Sequence, residues 1–233
     1  MDLMQLSLVD SFNKTFIQSD RWRLFVQGLG NTLVITLFAA LIGVLIGVVV
    51  AVLKVYCAQS GKLKPVNWLL DIYLTVIRGT PVLVQLMIMY YAVFASADNG
   101  VPVAILTFGI NSGAYVAEIV RGGIQAVDGG QTEAGRSLGL SAWTTMRSIV
   151  LPQAVKNILP ALGNEFITLV KETSVVGYIA IQDLTKAGDI VRTRTYETFF
   201  PLLMVALVYL IIVIGLTKLQ RMLERRLAKS DRR

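Results

Sequence analysis

The chain has 233 residues, 55% of them hydrophobic and 16% charged, with a mean hydropathy of +0.64. Soluble domains run at roughly 45–50% apolar and about 25% charged, so both departures exclude a soluble globular domain and point to lipid. Histidine is absent and Cys57 is the one cysteine, which removes Ser-His-Asp triads, Cys-His dyads, histidine-rich metal sites and any intramolecular disulfide. The 22 Lys and Arg against 15 Asp and Glu give +7, which in so apolar a chain reads as basic loops beside a membrane and not as a nucleic-acid surface.

Charges divide the chain into segments. Nothing between Arg23 and Lys54 is charged, and 33–53 is almost wholly apolar, enough to cross a bilayer as a helix. It starts too late and runs too long for a cleaved signal peptide. Gly43 and Gly47 lie four apart and share one face, where a second helix can approach closely. A second span is expected over 68–97, interrupted by Arg78-Gly79-Thr80-Pro81, and a third over 101–120. The fourth, 158–179, carries Glu165, Lys171 and Glu172, so hydropathy alone would miss it. The fifth, 198–217, is uncharged. The expectation is an all-α integral membrane protein with five transmembrane helices.

Lys and Arg in the connections set the orientation. Lys54, Lys62 and Lys64 follow the first span, Arg136, Arg147 and Lys156 lie between the third and fourth, and the tail carries seven Lys and Arg from Lys218 to Arg233. The 180–197 connection and the N-terminal arm balance their cations with acids. The N-terminus is therefore expected outside and the C-terminus in the cytoplasm. An arm (1–23), a membrane domain (24–217, with a loop at 122–157) and a basic tail (218–233) follow.

The 121–158 region is too polar to span. Asp128 is a helix N-cap candidate, Leu138, Leu140, Trp143, Met146, Ile149 and Val150 recur near helical spacing, and Gly139 interrupts them. Two short helices joined at a glycine fit this pattern. They either lie on the membrane surface or dock into a partner's groove.

Glu133-Ala134-Gly135, then Gly139, then Ile149-x-Leu151-Pro152 resembles the EAA loop of ABC importer permeases in identity and spacing. Ala114-Tyr-Val-Ala-Glu118 through Arg121, Leu159-Pro to Ile167, Lys171-Glu-Thr-Ser174 and Arg78-Gly-Thr-Pro81 resemble the polar amino acid permeases of that superfamily. The resemblance covers about residues 25–227. It implies a type I ABC importer permease fold, a second permease subunit (identical or paralogous), an ATP-binding cassette ATPase dimer bound at the loop, and an extracytoplasmic solute-binding protein. It further implies a polar amino acid substrate and a multi-pass position in the bacterial inner membrane. No G-x-x-x-x-G-K-[ST] string occurs, so ATP and magnesium belong to the partner ATPases, and this chain is expected to bind no cofactor. Glu133, Ala134, Gly135, Leu138, Gly139, Leu140, Leu151 and Pro152 are the candidate coupling residues. Gly135 departs from the second alanine of the family motif, at a helix cost of about 1 kcal/mol if it lies mid-helix.

Glu165, Asn111, Arg78, Thr75, Tyr115 and Asn164 are the candidate substrate contacts. A carboxylate such as Glu165 deep in a span faces a cavity or a partner by default, here a substrate cation; the alternative is an ion pair with a neighbouring helix. Asn164 points about 100° from Glu165. Asn111 can donate and accept, or bond another helix. Arg78, beside a helix break, suits a carboxylate or else pairs with Asp71. Thr75 stands where relatives often carry Glu. Glu118 and Arg121, three apart, read as a structural pair. A membrane enzyme is disfavoured by the missing histidine and a stand-alone secondary transporter by the docking loop. An importer of another small amine or amino acid derivative is the nearer alternative.

Overall fold

The computed structural model describes residues 9–60 and 63–229, and every regular element among them is helical. The start of the expected arm, Lys62 of the basic link and the last four tail residues lie outside the described residues. After turns at Asn13–Ile17 and Gln18–Asp20, α1 runs Trp22–Ser60, α2 Lys64–Gly79 and α3 Val82–Ile88, which continues as a π turn over Met89–Val93. Then come α4 (Gly100–Gln125), α5 (Gly129–Ser137), α6 (Ala142–Thr145), a π turn at Met146–Val150 and α7 (Leu151–Glu172). A 3₁₀ segment (Thr173–Ile179), α8 (Leu184–Thr195) and α9 (Phe199–Lys229) complete the chain.

Among the described residues, three helices are long and apolar enough to cross a membrane: α1, α4 and α9. The broken pair α2–α3 adds a fourth candidate. The break has a local cause. Pro81 lacks an N–H and forces Thr80 out of helical geometry, so Thr80 and Pro81 are extended at ψ 147° and 132°. The fourth expected span falls on the second half of α7 and the 3₁₀ segment, and it does not pass on hydropathy because it carries Glu165, Lys171 and Glu172. The helix of the fifth expected span, α9, continues without interruption through the described part of the basic tail to Lys229.

The chain forms two compact units. The first gathers Met1–Ala39, Pro81–Phe108 and Thr168–Leu216; the second gathers Ala40–Thr80, Gly109–Ile167 and Thr217–Arg233. In the first, Phe16, Phe25, Leu184, Ala187, Val191 and Val205 form the core. Its irregular stretch before α8 is sewn to α1: Asn31 Nδ2 donates to the Gln182 carbonyl at 2.8 Å, Gln182 Nε2 to the Leu24 carbonyl at 3.3 Å, and Leu184 N to Thr32 Oγ1 at 3.2 Å. Gly28 makes room for this, since a Cβ there would lie 2.7 Å from the Asp183 carbonyl carbon. Asp183 caps α8, accepting from Thr185 N and Lys186 N. Burial pushes its carboxyl above the usual range and those backbone bonds pull it back. In the second unit, Val50, Leu74, Ala114 and Ala117 form one cluster, and Ala51, Val116, Val120, Ala154 and Ile158 form another.

Candidate functional site

All but two of the candidate polar side chains in the second unit lie on α4 and α7, and the small residues of α1 explain how these sit together. A Cβ on Gly43 would lie 2.9 Å from Ser112 Cβ and Oγ, and one on Gly47 would lie 2.5 Å from Val116 Cβ and 2.9 Å from the Ala117 nitrogen. The four-residue spacing on α1 thus serves the close helix approach expected of it, against α4. Ser112, buried at that crossing, donates from Oγ to Glu165 Oε1 at 2.8 Å. The carboxylate is therefore held by a neutral hydroxyl, and no Lys or Arg forms an ion pair with it among the described residues.

Asn111, beside Ser112, is only 3% exposed and is enclosed within the protein. Asn164 turns away from Glu165 as its helical position requires: its Oδ1 accepts from Gln220 Nε2 of α9 at 3.0 Å, and the same nitrogen donates to the Pro160 carbonyl at 3.1 Å. Asn164 thus joins a helix–helix contact.

Arg78, in the last turn of α2, lies 3.7 Å from Glu118 Oε2, with its guanidinium 5.5 Å from the centre of the Tyr115 ring. The expected alternative partner, Asp71, is engaged elsewhere, with Lys54 and with Asn67 Nδ2 at 2.9 Å. The reason is distance along α2: seven residues span about two turns, farther than a side chain closes when Lys54 is nearer. Glu118 also accepts from Arg121 Nε at 3.2 Å and Nη2 at 2.5 Å, as the three-residue spacing predicts. Arg78, Tyr115, Glu118 and Arg121 thus form one charged cluster in which two cations share one acid. Thr75 is exposed one turn before Arg78.

The segment folds as anticipated into two short helices joined at Gly139; of the candidates, Glu133, Ala134 and Gly135 lie on α5, Leu138, Gly139 and Leu140 form the turn after it, and Leu151 and Pro152 open α7. Asp128 caps α5, accepting from Gly130 N at 2.8 Å, and Ser141 caps α6, accepting from Thr144 N at 3.1 Å. Between them α5 ends in a Schellman motif: Leu140 N donates to the Gly135 carbonyl and Gly139 N to the Arg136 carbonyl, with Gly139 at φ +79°. A Cβ at Gly139 would meet nothing within 4 Å, so glycine is required there by backbone conformation and not by space. Gly135 is the reverse case. It is buried, and an added Cβ would lie 2.7 Å from Thr145 Cγ2 and 3.1 Å from Ile149 Cδ1. The alanine usual in the motif does not fit against this Thr145. Leu138 is 80% exposed and Trp143 72% exposed, while Leu140 is half-buried; Glu133, Ala134, Leu151 and Pro152 are exposed.

Residues 43–229 match the family of binding-protein-dependent transport system inner membrane components. The chain belongs to this family. It is 37% identical over 209 residues to the arginine transport system permease protein ArtQ of Bacillus subtilis, covering 88% of this chain and 93% of that one. It is 40% identical over 161 residues to the glutamine transport system permease protein GlnP of Escherichia coli, covering 67% and 73%. A crystal structure of an amino acid ABC transporter with histidines is similar over 97% of this chain and 100% of that chain, at 42% identity and a TM-score of 0.82. The helical fold of this permease is therefore that of an ABC importer's inner membrane component.

Ser112 and Gln220 were not among the sequence candidates. A signal existed for the first, since Asn111-Ser112 is a polar pair in the middle of an apolar span. Gln220 offered none: it stands among the basic residues of the tail, and only the continuation of α9 brings it to α7.

Proposed function

We propose that this permease subunit forms half of the path of an ATP-driven importer for a polar amino acid. The amino acid is delivered by an extracytoplasmic binding protein. The observation that carries the substrate reading is Glu165: a half-buried carboxylate on α7, held by the Ser112 hydroxyl and not neutralised by an ion pair, suits a substrate's ammonium or guanidinium group. The relatives named for arginine and glutamine transport support the same class. Arg78 over Tyr115 is the matching candidate for the substrate carboxylate. Its 3.7 Å contact with Glu118, an acid that Arg121 already serves, is loose enough to exchange.

With five spans the termini lie on opposite sides of the membrane, and the basic connections support an outside N-terminus and a cytoplasmic C-terminus. The Glu133–Pro152 segment then lies in the cytoplasm, where exposed Leu138 and Trp143 suit an apolar groove on an ATPase dimer that supplies ATP and magnesium. A second permease subunit completes the path. The test is reconstitution in liposomes with the cognate ATPase and binding protein, measuring uptake of arginine, histidine and glutamine. ATP-dependent uptake of at least one of these is expected; uptake of none of the twenty amino acids would remove the reading.

A further inference from the structure

The first unit contains a cleft, mostly apolar in its lining but carrying three charged side chains, with no part in the scheme above. It encloses about 460 Å³ between the 3₁₀ segment and α8, and is lined by Ser174, Gly177, Tyr178, Thr185, Lys186, Asp189, Arg192 and Leu202. That volume is within the range of small-molecule sites, roughly 300–1,000 Å³.

Its charges are arranged, not scattered. Lys186, Asp189 and Arg192 lie three apart on one face of α8. Asp189 accepts from Lys186 Nζ at 3.1 Å through Oδ2, and from Arg192 Nε at 3.2 Å and Nη2 at 2.6 Å through Oδ1. One carboxylate thus fixes two cations and neutralises one, leaving the cluster one positive charge in excess. Arg192 and Lys186 hold the Asp189 carboxyl below the usual carboxylate range, so it stays ionised. Gly177 contributes to the shape. A Cβ there would lie 3.3 Å from Lys186 Cβ and Cδ, so its absence lets the lysine stem lie along the 3₁₀ segment with the ammonium directed by Asp189. The cations are therefore held before any ligand arrives, which lowers the ordering cost of binding. Around them stand the hydroxyls of Ser174 and Thr185, an exposed Tyr178 and the apolar Leu202.

We propose that this cleft is a second amino acid site, an outer antechamber that takes the α-carboxylate of the substrate on Lys186 and Arg192. The side chain lies against Tyr178 and Leu202. Arg192 provides the planar fork that suits a carboxylate, and Lys186 adds a point charge. The proposal rests on the amino acid importer reading and on its orientation, which puts the 180–197 connection on the side where the binding protein releases its cargo.

The experiment uses the permease with its ATPase in nanodiscs at physiological salt, without binding protein, and measures binding of radiolabelled L-arginine and of its decarboxylated amine. L-arginine is expected to fill one more site per permease than the amine, which keeps the cation that suits Glu165 but lacks the carboxylate this cleft takes. The double substitution Lys186→Gln, Arg192→Gln should weaken L-arginine binding by at least roughly tenfold, whereas Arg192→Lys, which keeps the charge and loses the fork, should weaken it by less than the double variant does. Arg194→Gln, which removes an exposed cation of the same helix outside the cleft lining, should leave this binding in place. Equal binding of the amine, or L-arginine binding unchanged in the double variant, would overturn the antechamber. Binding-protein-driven uptake in the same preparation distinguishes the two failures. If wild type transports normally while the double variant binds and transports like it, only the antechamber falls. If wild type transports no amino acid, the importer reading falls first.

Discussion

The coupling segment and the α1–α4–α7 crossing break the ordinary rule of burial in opposite directions. In the segment, Leu138 and Trp143 are apolar and exposed; at the crossing, Ser112 and Asn111 are polar and buried, with Glu165 half-buried beside them. Each region also depends on glycines, but for different reasons. Gly139 is fixed by a left-handed backbone with open space around it, whereas Gly43 and Gly47 are ordinary helical residues fixed by the atoms they face. The exposed turn is specified by backbone conformation, and the helix crossing by exclusion of volume. The comparison teaches that identical residue types carry different information in the two places.

The largest effect is expected at the crossing. Gly47→Leu must displace Val116 and the α4 backbone, and overpacking of this kind costs about 3 kcal/mol, read as lost yield and a lowered Tm of the purified complex. A Tm equal to wild type would show that α1 and α4 are not held by close contact. At the other pole, Leu138→Glu with Trp143→Glu touches only exposed side chains. Permease yield should be normal while affinity for the ATPase drops roughly tenfold, about 1.4 kcal/mol, and co-elution of both subunits at unchanged strength would refute the docking role.

Gly139→Ala sharpens the conformational half of the comparison. The methyl has room, so only the left-handed φ resists it, at about 1 kcal/mol; Gly139→Asn should be milder because asparagine tolerates that region. Substrate-stimulated ATP hydrolysis ranked Gly, Asn, Ala is the expected order, and any other order argues that space decides. Glu165→Gln keeps volume and the Ser112 contact. Transport of arginine should fall several-fold more than transport of glutamine, whereas equal losses with a lowered Tm would return Glu165 to a structural role.

The smallest effect concerns pH. Asp189 has its carboxyl depressed by Arg192 and Lys186, so its contribution to stability is present above the unfolded carboxylate range and is lost as pH falls through the depressed value. Because the group is part-exposed, a small fall in Tm on acidification below about pH 4 is expected, and Asp189→Asn should flatten it.

The linear order of residues determined what depends on local physics. Uninterrupted apolar runs specified α1 and α9, Pro81 specified the break after α2, Asp128 and Gly139 specified the first cap and the turn of the 121–158 region, and the Glu118–Arg121 spacing specified an ion pair. The EAA-like string made the coupling residues legible as a group. Tertiary structure decided the rest, because it turned on which helices lie side by side. It paired Asp71 with Lys54 and left Arg78 to Glu118 and Tyr115. It gave Glu165 a serine in place of a cation, and it sent Asn164 to Gln220. It also gave Gly135 its reason, since the Thr145 methyl that excludes alanine is ten residues away along the chain and in contact only after α5 and α6 fold back. Capping, charge spacing and hydropathy act over a turn or two of helix and are written in neighbouring residues; the identity of a distant partner is not, because close packing selects it only when the whole unit has formed.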